Sequence, residues 1–538
     1  MIAAVVAHFH CAYGIQRLDG EKLSGFTGRP HVSAPQQYPS ERTHGRQLNS
    51  ATAFQPIRIK VETVSLDGLT DSMQTWLQDT LVSSAVATLQ QALSVVPVSG
   101  ALLADRQCTS TWQVADSTCA SADAPTCGIL SDGNEQTIPD SMLRGLRTCS
   151  TCFSNTAAQT CMESAGSTCS TSASGAGAAN TDFLLYVSSV NTAACSGGTL
   201  AYAWQCIRDQ YDRPVVGYAN FCPSAVSSAS SAWDKQYATA VHEILHALGF
   251  ASDSWALFRY ADGTPRTPRD SSGLPAQVSA TCTDGTTQTI RAPSSNTLAV
   301  ATVNGIVTNT LVTPRVVSVA RDIFGCATLS GGRLENQPTS SGSCYGSHWE
   351  QRYFMNEMMA STSSHHAAFS PMTLAAMEDS GWYKANYSVA TGLIWGRNRG
   401  CGFVTGECVD GGTAADGFCH VESETGCTPD HRAKGYCNLR SDLTSIPSQF
   451  QHFDGETNKG GQLEVADYCP YVMAYSNGDC SIASNAMSTD YGETYGEASS
   501  MCFQNTLVQS GFVASAANYG CYETRCQGGV LEVKVSNT

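Results

Sequence analysis

Twenty-four of the 538 residues are cysteines, spread from Cys11 to Cys526, with dense groups between Cys108 and Cys222 and between Cys401 and Cys526. Thiols at this density mark a chain that folds in an oxidising compartment, or one that holds structural metal. Spacing argues against metal. Cys149 and Cys152 form a C-x-x-C, but Cys161 and Cys169 do not form the second such pair that a zinc ribbon needs. A disulfide framework is therefore expected, although spacing alone does not give the pairing.

Disulfides imply export to the extracellular space or the cell surface. The apolar run from Ile2 to Ala7 is too short for a signal-peptide core and no Lys or Arg precedes it, so a start further upstream is expected. No run of about 18 apolar residues occurs, so no transmembrane helix is expected. The C-terminal GGVLEVKVSNT is not an anchor-attachment tail, and Asn386-Tyr387-Ser388 is the one glycosylation sequon.

A chain this long exceeds one compact core and divides into two to four domains. Apolar residues make up 42%, enough for real cores, while only 14% are charged, so Ser, Thr, Gly, Asn and Gln must supply much of the polar surface. Lys plus Arg is 30 against 46 Asp plus Glu, a net charge of −16, which makes the chain a poor polyanion binder and argues against nucleic acid as the main partner.

Four segments are expected. Residues 1–50 carry a Pro-rich patch and the basic stretch Glu41–Arg46, suited to a pro-region cut away on maturation. Residues 51–253 carry strand patterns at 57–61, 182–190, 200–206 and 214–220, a helical pattern from Thr75 to Leu93, and the Ser/Gly/Ala stretch STSASGAGAAN, which reads as a linker. Residues 254–395 begin with a Thr/Ser/Val-rich stretch that reads as inserted strands and loops, and residues 396–538 form a Cys-rich domain of strands and loops. The fold class is α+β: a small sheet plus one functional helix, a central inserted subdomain and a Cys-rich C-terminal domain.

That helix carries the chemistry. In DKQYATAVHEILHALGF, Tyr237, Val241, Ile244, Leu245 and Leu248 form a helical apolar stripe. His242 and His246, four apart, lie on one face, the spacing at which two imidazoles grip one zinc ion. Glu243 between them can hold a water on the metal and take its proton. Gly249, three residues after the second His, can adopt positive φ and turn the chain off the helix.

A catalytic zinc takes three protein ligands. A compact arrangement would place the third His three residues after the Gly, where Ser252 stands instead. Candidates further on are His348, His365, His366 and several carboxylates. His348, in CYGSHWEQRYFMNEMMA, is favoured because Met359 follows and can floor the metal with its thioether. His365-His366 reads as a solvated loop. A Glu third ligand, Glu357, is the alternative, and a third reading makes the chain a secreted binding or adhesion protein on an inactive scaffold.

HEILHALGF, the distant GSHW and MNEMMA together resemble the leishmanolysin family of zinc metalloproteases, as do TDFLLYVSSV, PVVGYANFCP, WGRNRGCGF and CYETRCQGGVLEV. The resemblance spans roughly residues 55 to 538. It implies a metzincin fold, endopeptidase action on protein or peptide substrates, and one zinc per chain held by His242, His246 and His348, with Glu243 as general base and Met359 as the Met-turn residue. The family's pro-region carries a His-x-Cys-x-His that caps the zinc. Cys11 in HFHCAYG is the candidate counterpart, but Tyr13 stands where the second His belongs. The family's founding members are lipid-anchored, and no anchor signal is seen in this sequence.

Overall fold

The computed structural model describes residues 54–112, 118–153, 161, 166–196, 198–271, 273–282, 286–303, 305–337, 344–362, 366–486, 492–505, 518–527 and 530–535. It is a mixed α/β structure with many small sheets and few helices.

The sheet that positions the site has four strands: β1 (Ile59–Ser65), β2 (Phe183–Ser188), β3 (Ala201–Arg208) and β4 (Pro214–Phe221), in the order β3-β4-β2-β1. β1, β2 and β4 are parallel and β3 runs antiparallel to β4. Every residue of β2 and β4 is buried, as in a sheet covered on both faces. Alternation sorts the side chains. Phe183, Leu185 and Val187 enter the main core, while Leu184 and Tyr186 join Leu102, Cys127 and Tyr218 on the other face.

Two helical stretches cover the main-core face. The first begins as α1 (Asp71–Trp76), widens into a π-helical stretch over Leu77–Val82 and continues as α2 (Ser83–Ala92). The second is α3 (Trp233–Ala247). Leu77, Leu81, Ala85 and Leu89 recur every fourth residue and share the core with Tyr237, Val241, Ile244 and Leu248 of the α3 stripe. Thr88 Oγ1 lies 2.5 Å from the Tyr237 hydroxyl.

Three expectations are corrected or extended. STSASGAGAAN is not a free linker. Gly175 N–H donates to the Leu143 carbonyl, Gly177 N–H to the Ser141 carbonyl, and Ala178 bridges Leu102. Gly175 is needed there because a Cβ would sit 2.2 Å from the Ser141 oxygen. The inserted region holds the expected strands β5 (Gln277–Thr281), β6 (Thr287–Arg291), β7 (Leu298–Val303), β8 (Ile306–Leu311) and β9 (Gly332–Leu334). It also holds a helix, α4 (Pro314–Phe324), with Pro at its start and Gly325 at φ +65° at its end. His366 is buried rather than solvated, 8% exposed, with its carbonyl held by Asn356 and the following Ala367 to Phe369 in the core. His365 lies outside the described residues.

The Cys149-x-x-Cys152 group forms disulfides, Cys149–Cys169 and Cys152–Cys161, and no free thiol occurs among the described residues. Cys326–Cys401 crosses position 396, and the core crosses it too: Leu393, Trp395, Phe403, Ala466 and Tyr471 belong to the cluster that holds Val241 and Ile244. No helix among the described residues is long and apolar enough to cross a membrane.

Candidate metal centre

α3 packs its stripe into the core and turns His242, Glu243 and His246 toward the segments after β9. His242 is 2% exposed and Glu243 is 4% exposed. The helix stops at an elbow where Gly249 N–H donates to the His246 carbonyl and Phe250 N–H to that of Leu245. Gly249 has φ +116°, a conformation costly for any other residue, and a Cβ there would lie 2.8 Å from the Trp382 ring. The elbow folds the Phe250 carbonyl back to within 2.6 Å of His246 Nδ1.

His348 arrives on a segment held from four sides. Trp349 bridges Leu334 of β9 and also Ala360. Glu335 N–H donates to the His348 carbonyl. Ser252 N–H donates to Ser347 Oγ, and Trp255 Nε1–H to the Gly346 carbonyl. Cys282–Cys344 ties the segment to the insertion. Ser252, the position a compact site would use for its third ligand, thus helps to seat a neighbour of His348.

The three imidazoles converge. His246 Nε2 lies 3.0 Å from His242 Nε2 and 3.2 Å from His348 Nε2. Each Nδ1 is engaged elsewhere: His242 with the Met358 carbonyl at 2.6 Å, His246 with that of Phe250, and His348 with Glu335 Oε1 at 2.9 Å. A carbonyl only accepts, so Nδ1 carries the proton in His242 and His246, and their Nε2 atoms are bare lone pairs. These two acceptors, 3.0 Å apart, have no hydrogen to share, and a cation between them and His348 Nε2 resolves the conflict. Zinc–nitrogen bonds of about 2.0–2.1 Å in a tetrahedron place nitrogens about 3.3 Å apart, close to what these residues offer. Burial, reinforced by the neighbouring imidazoles, pushes His242 down to about 3 and holds His246 well below the usual histidine range, so both rings stay neutral and able to ligate.

Glu243 has no hydrogen bond to its carboxylate among the described residues, and burial pushes it up to about 8. Met359 is fully buried in the turn whose Met358 carbonyl receives His242. Glu357 does not join the imidazoles. Its carboxylate accepts from Met359 N–H at 2.5 Å and from the Ser370 and Thr373 hydroxyls, both at 2.7 Å. Cys11 lies outside the described residues. A second trio, Cys408, His452 and Cys469, also gathers its ligand atoms within 4.8 Å, but the two sulfurs are joined as a disulfide and offer no thiolate.

Sequence reasoning missed Glu335, the partner of His348. It lies thirteen residues upstream in no recognisable motif, and only the fold brings it to the site.

The family model described as Leishmanolysin matches residues 150–538. A leishmanolysin-like peptidase of Drosophila melanogaster is 32% identical over 539 residues, covering 92% of this chain and 77% of the relative. A leishmanolysin-like peptidase of Caenorhabditis elegans is 31% identical over 586 residues, covering 97% of this chain and 83% of the relative. Leishmanolysin of Leishmania tropica is 29% identical over 308 residues, which are 56% of this chain and 40% of that protein.

Proposed function

We propose, from the premise that this chain belongs to the leishmanolysin family and is a metalloendopeptidase, that its metal is a single zinc ion held by His242, His246 and His348 and that Glu243 is its general base. The observation that carries this reading is the meeting of three imidazole Nε2 atoms whose Nδ1 atoms are each committed to another acceptor. Bound there, zinc supplies Lewis acidity that acidifies water and polarises a scissile carbonyl.

The chain's own residues do the rest. Nδ1 hydrogen bonds fix the tautomer and tilt of each imidazole, so the ligands are set before the metal arrives. Glu243 takes a proton from the attacking water and returns it to the leaving amine. Burial pushes its carboxyl up to about 8, toward the range in which a carboxylate serves as a proton acceptor and donor near neutral pH. Gly249 supplies the sharp turn that returns the Phe250 carbonyl to His246, and Met359 contributes an apolar floor.

The same reading takes the core as metzincin-like. It keeps a pro-region at 1–50, catalytic segments at 51–253 and 254–395, and a Cys-rich domain at 396–538. It places the protein outside the cell or at its surface, as the disulfides favour. A Cys11 thiolate is able to occupy the metal's open position before maturation.

Purified protein is expected to carry one zinc per chain and to cleave casein or gelatin. Cleavage should stop on chelation and return with added zinc. Cleavage that survives complete metal removal would sink the reading.

A further inference from the structure

His348 is the one ligand whose Nδ1 meets a carboxylate. His242 and His246 rest on neutral main-chain carbonyls, whereas His348 Nδ1 lies 2.9 Å from Glu335 Oε1. The same oxygen accepts from Ser347 N–H at 3.0 Å, and Glu335 N–H donates to the His348 carbonyl at 2.9 Å. Glu335 therefore grips His348 and its neighbour through both main chain and side chain.

The carboxylate is 2% exposed, and no Lys or Arg pairs with it among the described residues. Its second oxygen, Oε2, is buried with no hydrogen-bond partner among the described residues. A buried carboxylate without a compensating cation is a cost to the fold. A dication joined to the far nitrogen of the same imidazole supplies the missing charge.

The surroundings hold Glu335 in place. Gly346 must be glycine, because a Cβ there would lie 2.4 Å from Glu335 Cγ. The next two side chains, Asn336 and Gln337, donate to Asp467 Oδ1 at 3.2 and 3.0 Å, so residues of the Cys-rich region pin the strand end that carries Glu335.

We infer that Glu335 is a positioning residue of the metal centre: it orients His348 and supplies negative charge that a metal held by His348 requires. This rests on the reading of His348 as a zinc ligand. A carboxylate behind a ligating imidazole raises ligand basicity, and losing such a partner weakens metal binding roughly 10- to 100-fold.

The test is zinc affinity, by competition with a chromophoric chelator, for the full chain and for Glu335→Gln, Glu335→Ala and His348→Ala. Gln keeps the size and an acceptor oxygen but removes the charge. Glu335→Gln is expected to bind zinc about 10-fold more weakly, with an apoprotein that melts no lower than the parent. Its cobalt-substituted form should show a shifted visible spectrum. Glu335→Ala is expected to lose about 100-fold, the upper end of that range. Parental zinc affinity and an unchanged cobalt spectrum in Glu335→Gln, with His348→Ala impaired, would overturn the inference and leave the zinc site standing. Parental affinity in His348→Ala would overturn the zinc reading itself.

Discussion

His242 Nδ1 lies 2.6 Å from the carbonyl oxygen of Met358, so the helix bearing two of the imidazoles is bonded to the turn beyond the third. The link continues through that turn. Met359 N–H donates to Glu357, and the Met359 carbonyl accepts from Trp349 N–H, the residue after His348. His242 on α3 and the segment after His348 are thus tied to one turn, through a side-chain bond to Met358, a main-chain bond to Met359 and the Glu357 carboxylate.

Glu357 anchors that turn, which yields a stability prediction. Burial pushes its carboxyl up to about 7 from an ordinary value of 4.5. The folded state therefore binds this proton more tightly than the unfolded chain. Its contribution is fully present below about pH 4.5 and is lost as pH rises toward 7, on the order of 3 kcal/mol in all. Glu357→Gln should flatten this slope in denaturant unfolding of the metal-free protein and should still bind one zinc per chain. Loss of zinc as complete as in His348→Ala would mean that Glu357 is a ligand.

Gly249→Ala tests the elbow. The side chain would have to adopt φ +116° with its Cβ 2.8 Å from the Trp382 ring. A cost of about 1–3 kcal/mol is expected from the backbone strain alone. Because the elbow carries the Phe250 carbonyl that receives His246, zinc affinity should fall as well. Unfolding free energy and zinc affinity equal to the parent's would contradict this role.

The helix and its metal-binding face were legible in the sequence, because HExxH places its chemistry within one turn and the apolar stripe marks the buried side. The sheet strands were legible through their apolar runs. What was not legible depends on contacts between distant segments. Glu335 meets His348 only because β9 runs beside the segment that carries it. His366 looked solvated because its Ser/Ala-rich neighbours carry no periodicity, yet the chain around it is pulled into the core. STSASGAGAAN looked like a linker because Gly signals flexibility as readily as close backbone approach, and here it is the latter. The start and stop residues of α4 were present, Pro314 and Gly325, and went unread within a stretch dominated by Thr, Ser and Val.

The core that crosses position 396 predicts that residues 1–395 do not make a stable peptidase alone. Truncation there would uncover Trp395 and remove Phe403, Ala466 and Tyr471 from the cluster, along with Asp467 behind the Glu335 strand end. The fragment should be recovered as aggregate or as an open form that binds dyes for exposed apolar surface. A monomeric fragment that unfolds cooperatively and cleaves casein at the parental rate would refute this.

Glu243→Gln should separate the base from the metal. The amide cannot accept the water's proton, so turnover should fall by roughly 10²–10⁴-fold. Zinc content should stay at one per chain, because Glu243 is not among the residues that converge on the metal position. Near-parental turnover would remove Glu243 from the mechanism.

The most direct test of the centre is X-ray absorption at the zinc edge of the purified, zinc-loaded protein. The account predicts three imidazole nitrogens at about 2.0–2.1 Å and one further light atom, with one imidazole lost in His348→Ala. Sulfur in the first coordination sphere, or fewer than three imidazoles in the parent, would contradict it.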